Sequence, residues 1–378
     1  MGKRPDEKLN NPIPVPKDLK KAAQVAVRQV LKARPGERVL IITNPERDVR
    51  MISYALYGAA LAAGASPTVI IQPAKSILDL AEDGVLHALR SEPEIVLSMS
   101  TEKLGKDRFG MKKNYKYKGK SYDHIFNYLL AAKKIRSFWS PSVTLGMFRR
   151  TVPVDYAAMR RNCAKLKKVL DKAESAHITT RKGTDLVIGL RGRKGKTDDG
   201  DFSRPGTGGN LPAGETFISP ELGTGEGTLV FDGCISSDRG VILIRTPIKT
   251  VVKGNMVKSI TGGREAGLLK ATLERATKTT RRFAREGRIK KADLPGYLAN
   301  IRNLGELGIG LNEKCRIMGN MLEDEKVFKT CHIAIGSNYD DDAKALIHLD
   351  GLVRNPSIDL SFKGGRTRRI LDHGRLLI

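Results

Sequence analysis

RVLIITNPERDVRMISYALYGAALAAGASPTVIIQ, residues 38–72, is the stretch that decides the fold class. It opens on one apolar run, Val39–Thr43, and closes on another, Thr68–Gln72, with turn-forming Asn44, Pro45, Gly64 and Pro67 beside them. Short apolar runs bounded by Pro, Gly or Ser predict buried strands. Residues 46–63 between them predict a helix. Ile52 to Ile71 is the most apolar part of the chain, but Gly58, Gly64, Ser66 and Pro67 interrupt it. It reads as helix, turn and strand, and not as a membrane span.

The same alternation continues outward. Glu94–Ser98 and Ile135–Trp139 predict strands, and 75–90 and 122–133 predict helices. Strand–helix alternation implies an α/β fold with a mostly parallel sheet covered on both faces. A longer helix follows, with Tyr156, Met159, Cys163, Leu166 and Leu170 forming one apolar stripe. It ends near Ala173, where a domain boundary is expected: 1–174 as an N-terminal α/β domain and 175–378 as a second domain. Beyond it the pattern turns β-rich. His177–Thr180, Thr184–Arg191, Gly227–Asp232 and Val241–Thr246 predict strands, one helix spans about 264–285, and glycine becomes dense at Gly305, Gly308 and Gly310. The second domain is therefore expected to be α+β. A chain of 378 residues also exceeds one ordinary core, so two domains are the default.

Composition narrows the class. Apolar residues make up 40% and charged residues 29%, as in globular proteins. Cys163, Cys234, Cys315 and Cys331 form no C-x-x-C pair, which fits a reducing, cytoplasmic setting better than a disulfide framework. The opening MGKRPDEKLNNPIPVPK lacks the apolar core of a signal peptide. No membrane association is expected. Lys plus Arg outnumber Asp plus Glu by 67 to 41, a net charge of +26. Such an excess attracts polyanions such as RNA, and equally describes an enzyme with a basic surface. Residues 103–120 carry eight Lys or Arg against one acid, interleaved with Phe109, Tyr115 and Tyr117, which suits base stacking. Residues 275–291 also carry eight against one.

Chemistry-bearing residues collect near the C-terminus. In LGELGIGLN (304–312), strand alternation puts Leu307, Ile309 and Leu311 on one face and Glu306, Gly308 and Gly310 on the other. A lone carboxylate beside two bare backbone positions leaves room for something to approach it. In CHIAIGSNY (331–339), Ile333 and Ile335 point to the core and His332 away from it. In LIHLDG (346–351), His348 and Asp350 share a face. Imidazoles and carboxylates converging from separate strands suit a dinuclear hydrolytic site. Each piece alone also reads blandly: His-x-Asp as an ordinary strand pair, Glu306 as a surface strand residue, Glu325 in DEK as a solvated turn, Glu215 as a loop cap. GTGGNLPAG (206–214) invites a phosphate-loop reading, but lacks the Gly-Lys-Ser/Thr ending and the preceding strand.

The order and wording of the set are more specific. NLPAGETFISP (210–220), GTLVFDG (227–233), LGELGIGLN, DEKVFKTCHIAIGSNY (324–339) and IHLDG (347–351) closely resemble the aminopeptidase T/aminopeptidase S family of metallopeptidases, over about 175–360. The resemblance implies a dimeric exopeptidase that releases N-terminal residues from peptides with two divalent ions (Zn, Co or Mn). By motif, Glu215, Glu306, Glu325, His332, His348 and Asp350 match metal-ligand positions, with Glu306 adjoining both ions. Tyr339 matches a tyrosine placed to donate to a developing oxyanion. Glu215 or Glu325, whichever is less committed to metal, is the candidate general base. Two other readings stand beside this one. Ring-cleaving iron dioxygenases acting on dihydroxypyridine resemble the same scaffold and keep the His-x-Asp pair, but carry a histidine where this chain has Glu306 and an apolar residue where it has Glu215. A nucleic-acid-binding protein, using the segment Lys103 to Lys120, is the other.

Overall fold

The computed structural model describes residues 14–76 and 79–378. The chain divides into two units, one running to Tyr156 and including Gly200–Ala213, the other made of Ala157–Asp199 and Gly214–Ile378.

The first unit is built on a five-stranded, all-parallel sheet. Arg38–Thr43 lies between Ser66–Ile71 and Ile95–Met99, followed by Arg136–Trp139 and the short Gly208–Asn210. The apolar runs become strands because both faces are covered. Ile95–Met99 is buried at every position, and the helix Arg47–Ala62 buries Val49, Ile52, Leu56, Ala59 and Ala60. Two expectations shift. The helix expected over 75–90 begins only at Asp83, because bridges from Lys75 to Lys103 and from Leu80 to Lys106 extend the chain before it. Residues 77 and 78 of that expected helix lie outside the described residues. Part of the glycine-rich GTGGNLPAG is itself a strand, Gly208–Asn210, paired in parallel with Ser137–Trp139.

The second unit holds two antiparallel sheets, of seven and eight strands. The division between units falls at 156/157, well before the boundary at 174/175 expected from the sequence. The reason lies in the helix Tyr156–Leu170. The Cys163 thiol donates to the Glu215 carbonyl (3.6 Å) and the Thr216 hydroxyl donates to the Cys163 carbonyl (3.4 Å), so its apolar stripe packs on the strand Glu215–Ile218. The seven-stranded sheet carries Glu215, Glu306, His332, His348 and Asp350, the residues singled out by the sequence. Five of its strands run in the order His348–Arg354, Thr330–Gly336, Leu304–Gly310, Glu215–Ile218 and, at the edge, Lys196–Asp198. Among the described residues, no helix is long and apolar enough to cross a membrane.

Candidate metal centre

Register assembles the site. Residues directly opposite on neighbouring strands share a face. Asp198 pairs with Glu215, Glu215 with Gly310, Gly308 with His332, Glu306 with Ala334, and Ala334 with Asp350. His348 lies two positions before Asp350 and so joins the same face. Six ligand-type side chains from five strands therefore meet on one side of the sheet. The small residues between them keep that face open. A Cβ on Gly308 would sit 1.9 Å from His332 Nε2, so the histidine ring lies where any other residue would place its side chain. The approach allowed by the Leu304–Gly310 glycines is thus made by a neighbouring imidazole.

Two groups of potential ligand atoms form, and Glu306 belongs to both. Glu215, Glu306 and His332 make the first; Glu306, His348 and Asp350 make the second, with each group's atoms within 4.8 Å of one another. Glu306 Oε1 is 3.0 Å from His332 Nε2, and Glu306 Oε2 is 3.3 Å from His348 Nε2. His348 Nε2 is 3.0 Å from Asp350 Oδ1, and His332 Nε2 is 3.6 Å from Glu215 Oε2. The site is buried, with His332 only 1% exposed. Even so, Glu215 Oε2, Glu306 Oε2 and Asp350 Oδ1 lack a hydrogen-bond donor. Buried carboxylate oxygens left in that state are costly unless a cation satisfies them. His348 Nδ1 is 2.8 Å from the Ser337 carbonyl, which fixes a proton on Nδ1 and leaves Nε2 facing the site. Metal-binding histidines are commonly oriented in this way. Hard carboxylate oxygens with imidazole nitrogens suit divalent ions such as zinc, manganese, cobalt or ferrous iron. These residues can hold metal.

Charge competition governs the protonation of the metal-free site. Burial alone would lower His348, yet Asp350 and Glu306 hold it well above the usual imidazole value. Burial opposes His332 too, but Glu306 lifts it to about 9. Burial pushes Glu306 up, and the His332 hydrogen bond together with the nearby His348 ring brings it below its ordinary value.

Glu325 stands apart. Its side chain is only 15% exposed, so it is no solvated turn, and desolvation pushes its carboxyl up to about 8 against the opposing charge of Lys326, with Glu215 and Asp350 adding to the rise. Its Oε1 accepts from Lys326 Nζ at 2.6 Å, and it belongs to neither ligand group. Tyr339 is 55% exposed; its ring sits edge-on to His348 with centroids 5.1 Å apart and tilted against Phe217 at 5.2 Å. Sequence reasoning missed two members of this constellation, Lys326 and Asp198. Asp198 lies in the acidic run DDGD (198–201), a signal that was available. Lys326 stands inside the DEK motif, where only its neighbours drew attention.

In the first unit, the aromatics of residues 103–120 are engaged by the protein itself. The Arg90 guanidinium lies 4.2 Å from the centre of the Phe109 ring. Tyr115 stacks on Tyr128 and donates to Asp107.

Comparison with known proteins points in two directions. The family model described as NicX, 2,5-dihydroxypyridine 5,6-dioxygenase, matches residues 144–288. No curated protein matches. Among solved structures, the 2,5-dihydroxypyridine dioxygenase of Pseudomonas putida KT2440 aligns with a TM-score of 0.71 at 17% identity, covering 96% of this chain and 98% of that one. Wild-type AmpT from Thermus thermophilus aligns with a TM-score of 0.64 at 18% identity, covering 96% and 99%. At these identities the likeness establishes a shared fold, mixed α/β with one parallel and several antiparallel sheets.

Proposed function

We propose that the chain is a two-metal aminopeptidase, and the observation that carries this reading is the sharing of Glu306 between two ligand groups. A carboxylate whose two oxygens face two different histidines could serve as a ligand in both groups. Charge supports the same count. Asp198, Glu215, Glu306, Glu325 and Asp350 stand against one buried ammonium, Lys326, which leaves four negative charges when all five carboxylates are ionised. Two divalent ions neutralise four. Glu215, Glu306 and His332 would hold one, and Glu306, His348 and Asp350 the other. Such a pair, when bound, supplies a water acidic enough to attack a peptide carbonyl near neutral pH. Glu325, outside both ligand groups, is the better candidate than Glu215 for taking the proton from that water. Tyr339, over His348 at the exposed side, is the candidate donor to the developing oxyanion.

The second reading is an iron-dependent ring-cleaving dioxygenase, favoured by the family match over residues 144–288 and by the likeness to the Pseudomonas enzyme. Glu215 and Glu306 separate the two, because such dioxygenases differ at both positions. Chelated protein reloaded with Zn, Co or Mn should hydrolyse aminoacyl amides, and with ferrous iron and oxygen should leave 2,5-dihydroxypyridine intact. Oxygen-dependent ring cleavage without amide hydrolysis would reverse the assignment. A peptide substrate, a homodimer and a cytoplasmic location belong to this reading. Contact with nucleic acid through Lys103 to Lys120 is compatible with it.

A further inference from the structure

Lys326 is the buried charge to which neither reading gives a part. Its Nζ lies 2.5 Å from Glu215 Oε1, 2.6 Å from Glu325 Oε1 and 3.4 Å from Asp198 Oδ2, and its side chain has no exposed surface. A buried ammonium is tolerated only when well paired, and three carboxylates pair this one. Its place is fixed through the backbone. The Lys326 amide donates to the Glu323 carbonyl (3.0 Å), and the Lys326 carbonyl accepts from the Asn312 amide (2.9 Å). A Cβ on Gly310 would sit 2.1 Å from the Val327 carbonyl oxygen and 2.8 Å from the Lys326 carbonyl carbon. The strand that carries Glu306 therefore also sets where Lys326 enters the site.

The lysine divides the carboxylates into two kinds. Glu215 gives Oε1 to the ammonium, and its Oε2, without a donor, faces His332. Glu325 gives Oε1 to the same ammonium and lies in neither ligand group. We propose that Lys326 is a positioning residue, a resident counter-ion that turns one oxygen of Glu215 towards the metal and keeps Glu325 out of coordination. Without it, two neighbouring carboxylates are free to converge on the same cation, and the unliganded carboxylate that hydrolysis needs is lost. This inference rests on the metal-centre reading and not on the identity of the substrate.

The test is a cobalt(II) titration of chelated, full-length protein, followed by calorimetry and by the visible absorption of the bound ion. Glu325→Gln should bind cobalt within about threefold of wild type with an unchanged spectrum, whereas Glu215→Gln should lose about tenfold or more, as losses around metal ligands do. Lys326→Met should weaken the visible bands as Glu325 enters and the coordination number rises. Adding Glu325→Gln to Lys326→Met should restore the wild-type spectrum. An affinity loss in Glu325→Gln equal to that in Glu215→Gln would make Glu325 a ligand and overturn the proposal. So would a Lys326→Met protein whose spectrum matches wild type. If Lys326→Met does not fold, the comparison of the two glutamate variants decides alone. Amide hydrolysis measured on the same samples separates the two claims. A wild type that binds cobalt but cleaves no amide sinks the peptidase reading and leaves the role of Lys326 standing.

Discussion

The Glu306 site and the basic segment 103–120 are opposites in how they are encoded. The site is scattered, since Glu215 lies far along the chain from Asp350, and each fragment is unremarkable alone. Cross-strand register gathers the fragments onto one face, where burial makes their charge expensive. The basic segment is contiguous and conspicuous in sequence. Folding absorbs part of it, because Asp107 accepts from the Phe109, Gly110 and Ile125 amides and from Tyr115, tying the segment to its neighbours. Density of like residues along a chain is a weaker sign of function than polar side chains forced together against their desolvation cost.

The largest effect should come from removing the shared ligand. Glu306→Gln should keep the fold and cut turnover of an aminoacyl amide by about a thousandfold, roughly 4 kcal/mol in barrier. Steady-state kinetics on protein with unchanged circular dichroism checks this, and a loss below about tenfold would make Glu306 peripheral. Gly308→Ala attacks the same region through packing. Its methyl would displace the His332 ring, so thermal or urea unfolding should register a loss of about 1–3 kcal/mol together with weaker metal binding.

The comparison sharpens with pH. In chelated protein, His332 is lifted to about 9, Glu325 to about 8 and Asp198 to about 7. All three pKa values are raised, so the folded state binds protons more tightly than the unfolded one. Their stabilisation is complete below the unfolded values and is lost as pH rises through the folded ones. Lowered carboxylates such as Glu94 and Asp238 act in the opposite sense only below about pH 5, so from there to about pH 9 metal-free protein should lose stability progressively. Urea titrations across that range check it, and stability rising between pH 5 and 8 would contradict it. Tyr339→Phe should have a smaller effect, lowering kcat by about tenfold with little change in KM. A pure KM effect would remove the tyrosine from the transition state.

The smallest effect belongs to the basic segment. Replacing Lys112, Lys113, Lys116 and Lys118 with Gln should flatten the salt dependence of RNA binding by roughly 0.7 in log–log slope for each phosphate no longer neutralised, and leave amide hydrolysis unchanged. Wild-type protein that shows no salt-dependent RNA binding at low ionic strength would reduce the +26 charge to surface composition.

Much of this was legible before folding. The strands around residues 38–72 followed from short apolar runs bounded by turn residues, which local sequence carries well, and the helix Arg264–Arg285 lies where it was expected. The polar face of Leu304–Gly310 followed from alternation. The return of Gly200–Ala213 to the first unit was not legible, because Gly208–Asn210 gains its strand character only from a distant parallel partner. Lys326 was hidden for a related reason. A lysine beside two acids reads as a solvated turn until the tertiary fold removes its water, and only then does its charge become part of the site.

The claim that Glu306 joins two cations is tested most directly by counting them. Elemental analysis of wild-type protein reloaded with zinc and freed of excess should give two ions per chain, and Glu306→Gln should give one or none. One zinc per chain in a wild type fully active on aminoacyl amides would contradict the two-metal account.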